Sequence, residues 1–236
     1  MNTKTAVLIL ERPWGEYISH NNRASVLPFF QGLQQLQGEK SQFDLYHRHF
    51  YEAKSFKAAL NELMALNYEE FYIYLACHGN NRSLEGMHLT TALEEINEHA
   101  TKKNIIGVIF GACLVGNSTS HLEVYSESTS IVWKFAYKCS VNWLEGTLLD
   151  IKILNQLLND TANDRSLLDS RGEITASFAK ALSTYSKQSV IGVDKKYQSL
   201  PLNESLSLVV QPKGRGNRAK ECSELIFEAT ETEAYM

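Results

Sequence analysis

The sequence has the length, composition and charge of one large globular domain. Its 236 residues are 44% hydrophobic and 21% charged, an ordinary balance for a folded domain with a sizeable core. The formal net charge of −4 argues against the basic face that nucleic-acid binding requires, so we expect no nucleic-acid partner.

Predicted strands and helices alternate along the first two hundred residues. Short segments rich in apolar residues predict strands at 5–10, 43–50, 71–77, 105–110, 130–137 and 189–193. Apolar residues at helical spacing predict helices at 28–37, 54–66, 144–158 and 170–185, with another helix after the capping-box pattern Thr91–Glu94. This alternation predicts an α/β fold with a mostly parallel six-stranded sheet and helices on both faces.

The chain shows no clear linker, so we predict a single domain over residues 1–236. Its core is expected over about 5–195, with residues 196–236 as a C-terminal extension packed on or near the core. In this extension, SELIFEA at 223–229 is expected to be an edge strand or a docked tail. The polar segment 159–173 is predicted to be an exposed loop.

The sequence gives no sign of a membrane segment, a secretory leader or a metal centre. No apolar run approaches the roughly 18 residues of a spanning helix, and the opening residues do not have a leader pattern. The four cysteines form no Cys-x-x-Cys pair, so we expect no metal. We predict a cytoplasmic protein with reduced thiols and without a cofactor.

Two predicted strands end on residues that can carry nucleophilic catalysis. FYIYLAC runs into His78-Gly79, and NIIGVIFGAC ends on Cys113. Because the carboxyl ends of parallel strands share one edge of the sheet, we expect both residues at the edge where ligands bind. A histidine beside a cysteine can be its general base, and the N–H groups of Gly79 and Cys113 can bind an oxyanion.

The order strand-His-Gly, then strand-Ala-Cys, resembles the caspase-like cysteine peptidases, which include caspases, metacaspases, gingipains, separase and CHAT-domain proteases. The resemblance covers roughly residues 5–160 and implies a three-layer caspase-like sandwich. Gly111 stands where caspases have Gln, and the gap from His78 to Cys113 is shorter than the caspase spacing of about 50 residues. The resemblance is therefore closest to the CHAT-like, bacterial branch.

The resemblance implies an endopeptidase with a His78/Cys113 dyad, an oxyanion hole at the amides of Gly79 and Cys113, and a protein substrate. It also implies control by a regulatory protein partner or by cleavage within 159–173, in an antiviral defence or cell-death pathway.

Substrate specificity in this family depends on the loop after the first strand and on the segment after the fifth. The loop after the first strand contains Glu11, Arg12, Glu16 and Arg23. The segment after the fifth strand contains Asn142, Trp143, Glu145 and Asp150. An arginine in the pocket would select an acidic P1 residue, and a carboxylate would select a basic one. Both remain open, and a basic P1 bound by Asp150 or Glu145 is favoured.

The remaining histidines and cysteines have structural interpretations. Cys77 and Cys139 are expected to be packing residues, Cys222 an incidental tail residue, and His88 and His121 loop residues. His47 and His49 share a strand face at a spacing that can bind a metal, but no third ligand lies within sequence reach.

Two alternative functions are kept. The first is a catalytically inactive caspase-like interaction module, for which Cys113→Ala would leave function intact. The second is an unrelated nucleotide-binding domain, which is disfavoured because no glycine-rich phosphate loop follows any predicted strand.

Overall fold

A computed structural model of the chain describes residues 4–13, 24–38 and 42–233, with side chains through residue 228. Glu16 and Arg23, which were candidates for substrate recognition, lie outside the described residues. Within the described ranges, no helix is both long and apolar enough to cross a membrane.

The described residues form short and long strands separated by helices. The strands are β1 (Thr5–Glu11), β2 (Asp44–His49), β3 (Glu70–Ala76), β4 (Gly79–Asn80), β5 (Ser83–Leu84), β6 (Met87–His88), β7 (Ile105–Gly111), β8 (Trp133–Tyr137), β9 (Ser140–Val141), β10 (Val190–Val193), β11 (Ser199–Pro201), β12 (Leu206–Val210) and β13 (Lys220–Glu221). The α-helices are α1 (Leu27–Gln37), α2 (Ala53–Met64), α3 (Leu89–Ala100), α4 (Thr119–Val124), α5 (Trp143–Asn163), α6 (Arg171–Leu182), α7 (Leu202–Ser205) and α8 (Ser223–Glu233).

The central sheet has the strand order β13-β12-β8-β7-β3-β1-β2. Its five strands from β8 to β2 are parallel, whereas β12 is antiparallel to β8 and β13 is antiparallel to β12. The predicted α/β architecture with a mostly parallel sheet is confirmed.

The predicted count of six strands was wrong, and so was the choice of the sixth strand. The position beside β8 belongs to β12, whose five residues are all buried. The predicted strand at 189–193 instead contains β10, which pairs with β9 and β11 in a small separate sheet. The apolar run of β10 resembles a core strand in sequence. The strand is only partly buried, so it does not pack as one.

Helices cover both faces of the sheet, and the strand pleat divides the core between them. Along β1, Val7 and Ile9 belong to the core beneath α1, α5 and α6. The alternate residues Ala6, Leu8 and Leu10 belong to the core beneath α2 and α3. Both faces of the central strands are therefore apolar, which explains their continuous hydrophobic runs.

Three local predictions need correction. The segment 159–173 is not a loop, because it contains the end of α5, a 3-10 helix at Arg165–Asp169 and the start of α6. Residues 223–229 form part of helix α8 rather than an edge strand, and Ile226 docks it into the core. Helix α3 begins at Leu89, so Thr91 lies inside its first turn and is not its N-cap.

A buried lysine joins β8 to the helix that follows Cys113. The Lys134 ammonium group donates to the carbonyl of Tyr125 at 2.7 Å and to the hydroxyl of Ser126 at 2.5 Å. Burial lowers the pKa of Lys134 well below its ordinary value. These bonds satisfy groups at the end of α4 and fix this helix against the sheet.

Two glycine substitutions should change stability in opposite directions. A Cβ on Gly107 in β7 would lie 2.1 Å from the indole of Trp133, so Gly107→Ala should lower the unfolding free energy by about 1–3 kcal/mol. Gly32, within α1, has no atom within 4 Å of an added Cβ, and Gly32→Ala should raise stability by about 0.5–1 kcal/mol. Urea unfolding of both variants provides the comparison, and equal midpoints would contradict the packing described for β7.

Candidate active site

The register of β3 and β7 places His78 and Cys113 at the same level of the sheet. These neighbouring parallel strands end with Ala76 paired to Gly111. His78 and Cys113 each follow this pair by two residues, so the chain leaves both strands with the same offset. His78 is exposed and Cys113 is half-buried.

Both residues line one cavity of about 220 Å³ on the α5 side of the sheet. Two tyrosines, a tryptophan and one carboxylate are among the residues of its walls. The lining residues are Tyr74, Cys77, His78, Gly111, Cys113, Tyr137, Ser140, Val141, Trp143, Gly146, Thr147 and Asp150. The cavity thus brings a thiol, an imidazole and a carboxylate together in one recess.

The Cys113 thiol has two weak polar contacts with residues that line the cavity. Its Sγ lies 3.8 Å from the carbonyl oxygen of Val141, and the hydroxyl of Ser140 donates to Sγ at 3.7 Å. Ser140 was not among the sequence candidates. Its position in the sequence could have identified it, because it lies just beyond β8, the next parallel strand. Residues at the carboxyl ends of parallel strands are expected near the ligand site, and this reason selected Cys113 as well.

A tight turn after β7 shapes the backbone around Cys113. Leu114 adopts a left-handed conformation with φ of 64°, and its N–H donates to the carbonyl of Cys139 at 3.0 Å. Among the described residues, the N–H of Cys113 itself donates to no acceptor. This amide is therefore available to an oxygen atom bound beside the thiol.

Gly79 permits the loops after β3 and β7 to touch. A Cβ at Gly79 would lie 2.5 Å from the carbonyl oxygen of Cys113 and 3.0 Å from the Cβ of Ala112. Only glycine allows this approach without moving backbone. The glycine after His78 thus lets the histidine loop lie directly against the cysteine loop.

Asp150 is the buried carboxylate of the cavity. It lies on the face of α5 that also presents Trp143 and Thr147, at helical spacing. The hydroxyls of Tyr74 and Tyr137 donate to its two oxygens at 2.9 and 2.6 Å. Burial raises the pKa of Asp150 to about 7, although both tyrosine bonds act in the opposite direction.

The structure separates the predicted substrate-binding residues. Trp143 and Asp150 line the cavity, whereas Arg12, Asn142 and Glu145 do not. Arg12 pairs with Glu85 at 3.2 Å. The Asn142 side chain caps α5 by accepting from Leu144 N–H. Glu145 is exposed in the first turn of that helix.

The other cysteines are buried and free of disulfides. Cys77 and Cys139 are core residues, as predicted, and burial raises the pKa of Cys77 to about 12. Cys222 is also buried rather than incidental, because it contacts Thr175 and the carbonyl of Leu208. Burial disfavours their thiolates, which leaves Cys113 as the half-exposed thiol.

His88 and His121 lie apart from the cavity. Both line a separate surface pocket with Arg82, Leu89 and Thr90. Neither is among the residues that line the Cys113 cavity.

Comparison with protein-family models gives no match for this chain, and comparison with curated proteins gives none either.

The charge of Asp150 should make stability depend on pH. Its pKa of about 7 in the folded protein exceeds the value of about 3.9 in an unfolded chain. Its stabilising contribution is therefore complete below about pH 4 and decreases as pH rises to about 7. Relative to Asp150→Asn, the wild type should lose about 2–3 kcal/mol of unfolding free energy between pH 5 and pH 8. Urea unfolding at both pH values measures this difference.

Glu145→Gln is the matched control because Glu145 lies exposed on the same helix. It should follow the wild-type pH dependence. An Asp150→Asn profile that is also parallel to the wild type would show that Asp150 is ionised throughout this pH range.

Proposed function

We propose that the chain is a caspase-like cysteine endopeptidase of the CHAT-like branch. One observation carries the proposal: His78 and Cys113 leave neighbouring parallel strands with the same offset and line one cavity. The seven-stranded sheet with helices on both faces is compatible with the three-layer sandwich of that family. The half-buried thiol and the exposed imidazole suit a nucleophile and a solvent-accessible base.

In the proposed reaction, His78 accepts the thiol proton and the Cys113 sulfur attacks the peptide carbonyl carbon. The N–H groups of Cys113 and Gly79 stabilise the oxyanion of the tetrahedral intermediate. His78 then protonates the departing amine as the C–N bond breaks, which leaves a thioester on Cys113. Water, deprotonated by His78, hydrolyses the thioester and restores the thiol. The hydroxyl of Ser140, already directed at Sγ, would stabilise the thiolate.

A basic P1 side chain fits the cavity better than an acidic one. The aromatic walls of Tyr74, Tyr137 and Trp143 can cover the aliphatic part of lysine or arginine. The carboxylate of Asp150 can then pair with the cationic end. Glu145, the other carboxylate favoured from the sequence, is exposed and lies outside the cavity.

The proposed physiological role is regulated cleavage of a protein substrate in the cytoplasm, in a bacterial defence or cell-death pathway. Activation by cleavage within 159–173 receives no support, because that segment is helical and buries Leu167 and Leu168. A regulatory protein partner is the remaining route of control in this proposal.

Labelling with a peptide acyloxymethyl ketone tests the nucleophile. A probe with lysine at P1 should form one adduct on Cys113, located by mass spectrometry. Cys113→Ala should abolish the adduct, and His78→Ala should slow labelling by about 10²–10⁴-fold because the general base is lost. His88→Ala and Cys222→Ser should label at the wild-type rate.

An equal labelling rate in His78→Ala would contradict the dyad. If wild type forms no adduct with lysine, arginine, aspartate or leucine probes, even with its native partner present, the inactive interaction module becomes the better description.

Substrate profiling tests the role of Asp150. Asp150→Asn should lower kcat/KM for substrates with lysine or arginine at P1 by about 10²-fold, because it removes the charge that pairs with the P1 cation. Glu145→Gln should leave kcat/KM unchanged. A wild-type preference for aspartate at P1 would overturn this part of the proposal while leaving the dyad intact.

A further inference from the structure

A second cluster of polar side chains lies at the carboxyl ends of β1 and β2. These strands pair in parallel with Ile9 opposite His47 and Glu11 opposite His49. Since residues two apart in a strand share a face, both imidazoles stand on the face that carries Glu11. Strand pairing therefore supplies the third polar group that the local sequence around the histidines lacked.

The three side chains converge on one point. Nε2 of His47 lies 2.9 Å from Oε2 of Glu11, and Nε2 of His49 lies 3.9 Å from the same oxygen. One ligand atom from each residue falls within 4.8 Å of the others. The two imidazole rings meet edge to face with centroids 4.6 Å apart.

These separations are close to those around a bound transition metal. Ligand atoms about 2.0–2.1 Å from a tetrahedral zinc ion lie about 3.3 Å from one another. The observed 2.9 and 3.9 Å bracket this value, and all three ligand atoms lie within 4.8 Å of one another, so side-chain rotations can bring them around one metal ion. The His49 side chain is 48% exposed and has the freedom to make such a rotation.

The carboxylate of Glu11 is already oriented by other donors. Val26 N–H donates to Oε1 at 2.9 Å and the Ser25 hydroxyl donates to Oε2 at 2.6 Å. Such supporting hydrogen bonds fix the direction of a metal-binding carboxylate.

We propose that Glu11, His47 and His49 form a binding site for Zn²⁺, with solvent as the fourth ligand. Two imidazoles and one carboxylate are a set that zinc accepts. On binding, the Nε2–H···O bond between His47 and Glu11 is replaced by two metal–ligand bonds. The Nε2 proton passes to solvent, and the metal-bound imidazole is neutral with its single proton on Nδ1. This site is separate from the Cys113 cavity and does not depend on the proposed peptidase activity.

Zinc at this position would join β1, the edge strand β2 and the start of α1. Glu11 already holds Ser25 and Val26 at the entry to α1. Further along that helix, Phe29 packs against Trp143 and Phe30 against Tyr74, with ring centroids 5.6 and 4.7 Å apart. By fixing the start of α1, the metal would therefore stabilise the helix that packs against Trp143 and Tyr74 in the cavity wall.

Zinc titration of the full chain tests the site. Cys113→Ala should be the parent protein, because a Cys/His pair is itself a zinc ligand set. Calorimetry on the metal-free protein should show one Zn²⁺ per chain with a Kd in the micromolar range or tighter. His49→Ala, at the half-exposed ligand, should weaken binding at least tenfold, since even loss of a supporting group costs about 10–100-fold.

The double variant His88→Ala/His121→Ala is the matched control and should bind zinc like the parent. Thermal melting should show that zinc raises the Tm of the parent and of this control, but not of His49→Ala. Melting without metal verifies that each variant is folded. Failure to bind Zn²⁺ at 100 µM, or equal affinity in His49→Ala, would leave an ordinary Glu–His hydrogen bond and overturn the proposal.

Discussion

The parallel pairing of β3 with β7 is the constraint on which the candidate site depends. Both strands are buried on both faces, and Ala76 is the partner of Gly111 at their ends. A shift of one residue would move every side chain of β3 to the opposite core, including Tyr74. The hydrophobic core therefore fixes the level at which His78 and Cys113 leave the sheet.

Close contacts beyond these strand ends convert the shared level into a defined site. A Cβ at Gly111 would lie 2.4 Å from the hydroxyl oxygen of Tyr74, so glycine there allows Tyr74 to reach Asp150. The Asp150 carboxylate then joins β3, β8 and α5 through the two tyrosine hydroxyls. Because all three groups are buried, this network sets the distance between the sheet and α5, and with it the width of the cavity.

Much of this arrangement could be predicted from local sequence, because the central strands are continuous apolar runs and His78 and Cys113 directly follow two of them. The wrong predictions concern tertiary packing, which local sequence does not specify. β10 and β12 are both short and rich in apolar residues, and only tertiary contacts decide which one joins the central sheet. Likewise, the rotation of α5 about its axis decides that Asp150 faces the cavity and Glu145 faces solvent.

Non-local pairing also explains why the grouping of Glu11 with two histidines could not be predicted. His47 and His49 are adjacent on one strand, but their acidic neighbour is 36 residues from His47. To identify Glu11 as this neighbour, one must know that β1 lies beside β2 and which residues of the two strands pair. The alternation of apolar and polar residues does not specify either. Ser140 is a different case, since the end of a predicted strand already marked its position.

The buried carboxylates of Glu11 and Asp150 show how different donors produce different charge states. Asp150 has only tyrosine hydroxyls, so burial prevails and its pKa rises to about 7. Glu11 is also buried, but a backbone N–H, a serine and a histidine together lower its pKa. Glu11 therefore retains its negative charge more readily than Asp150. With a pKa of about 7, the Asp150 carboxyl is about half ionised at neutral pH. A cation that enters the cavity would favour its ionised form. Without a cation, the cavity does not have to hold a full buried charge.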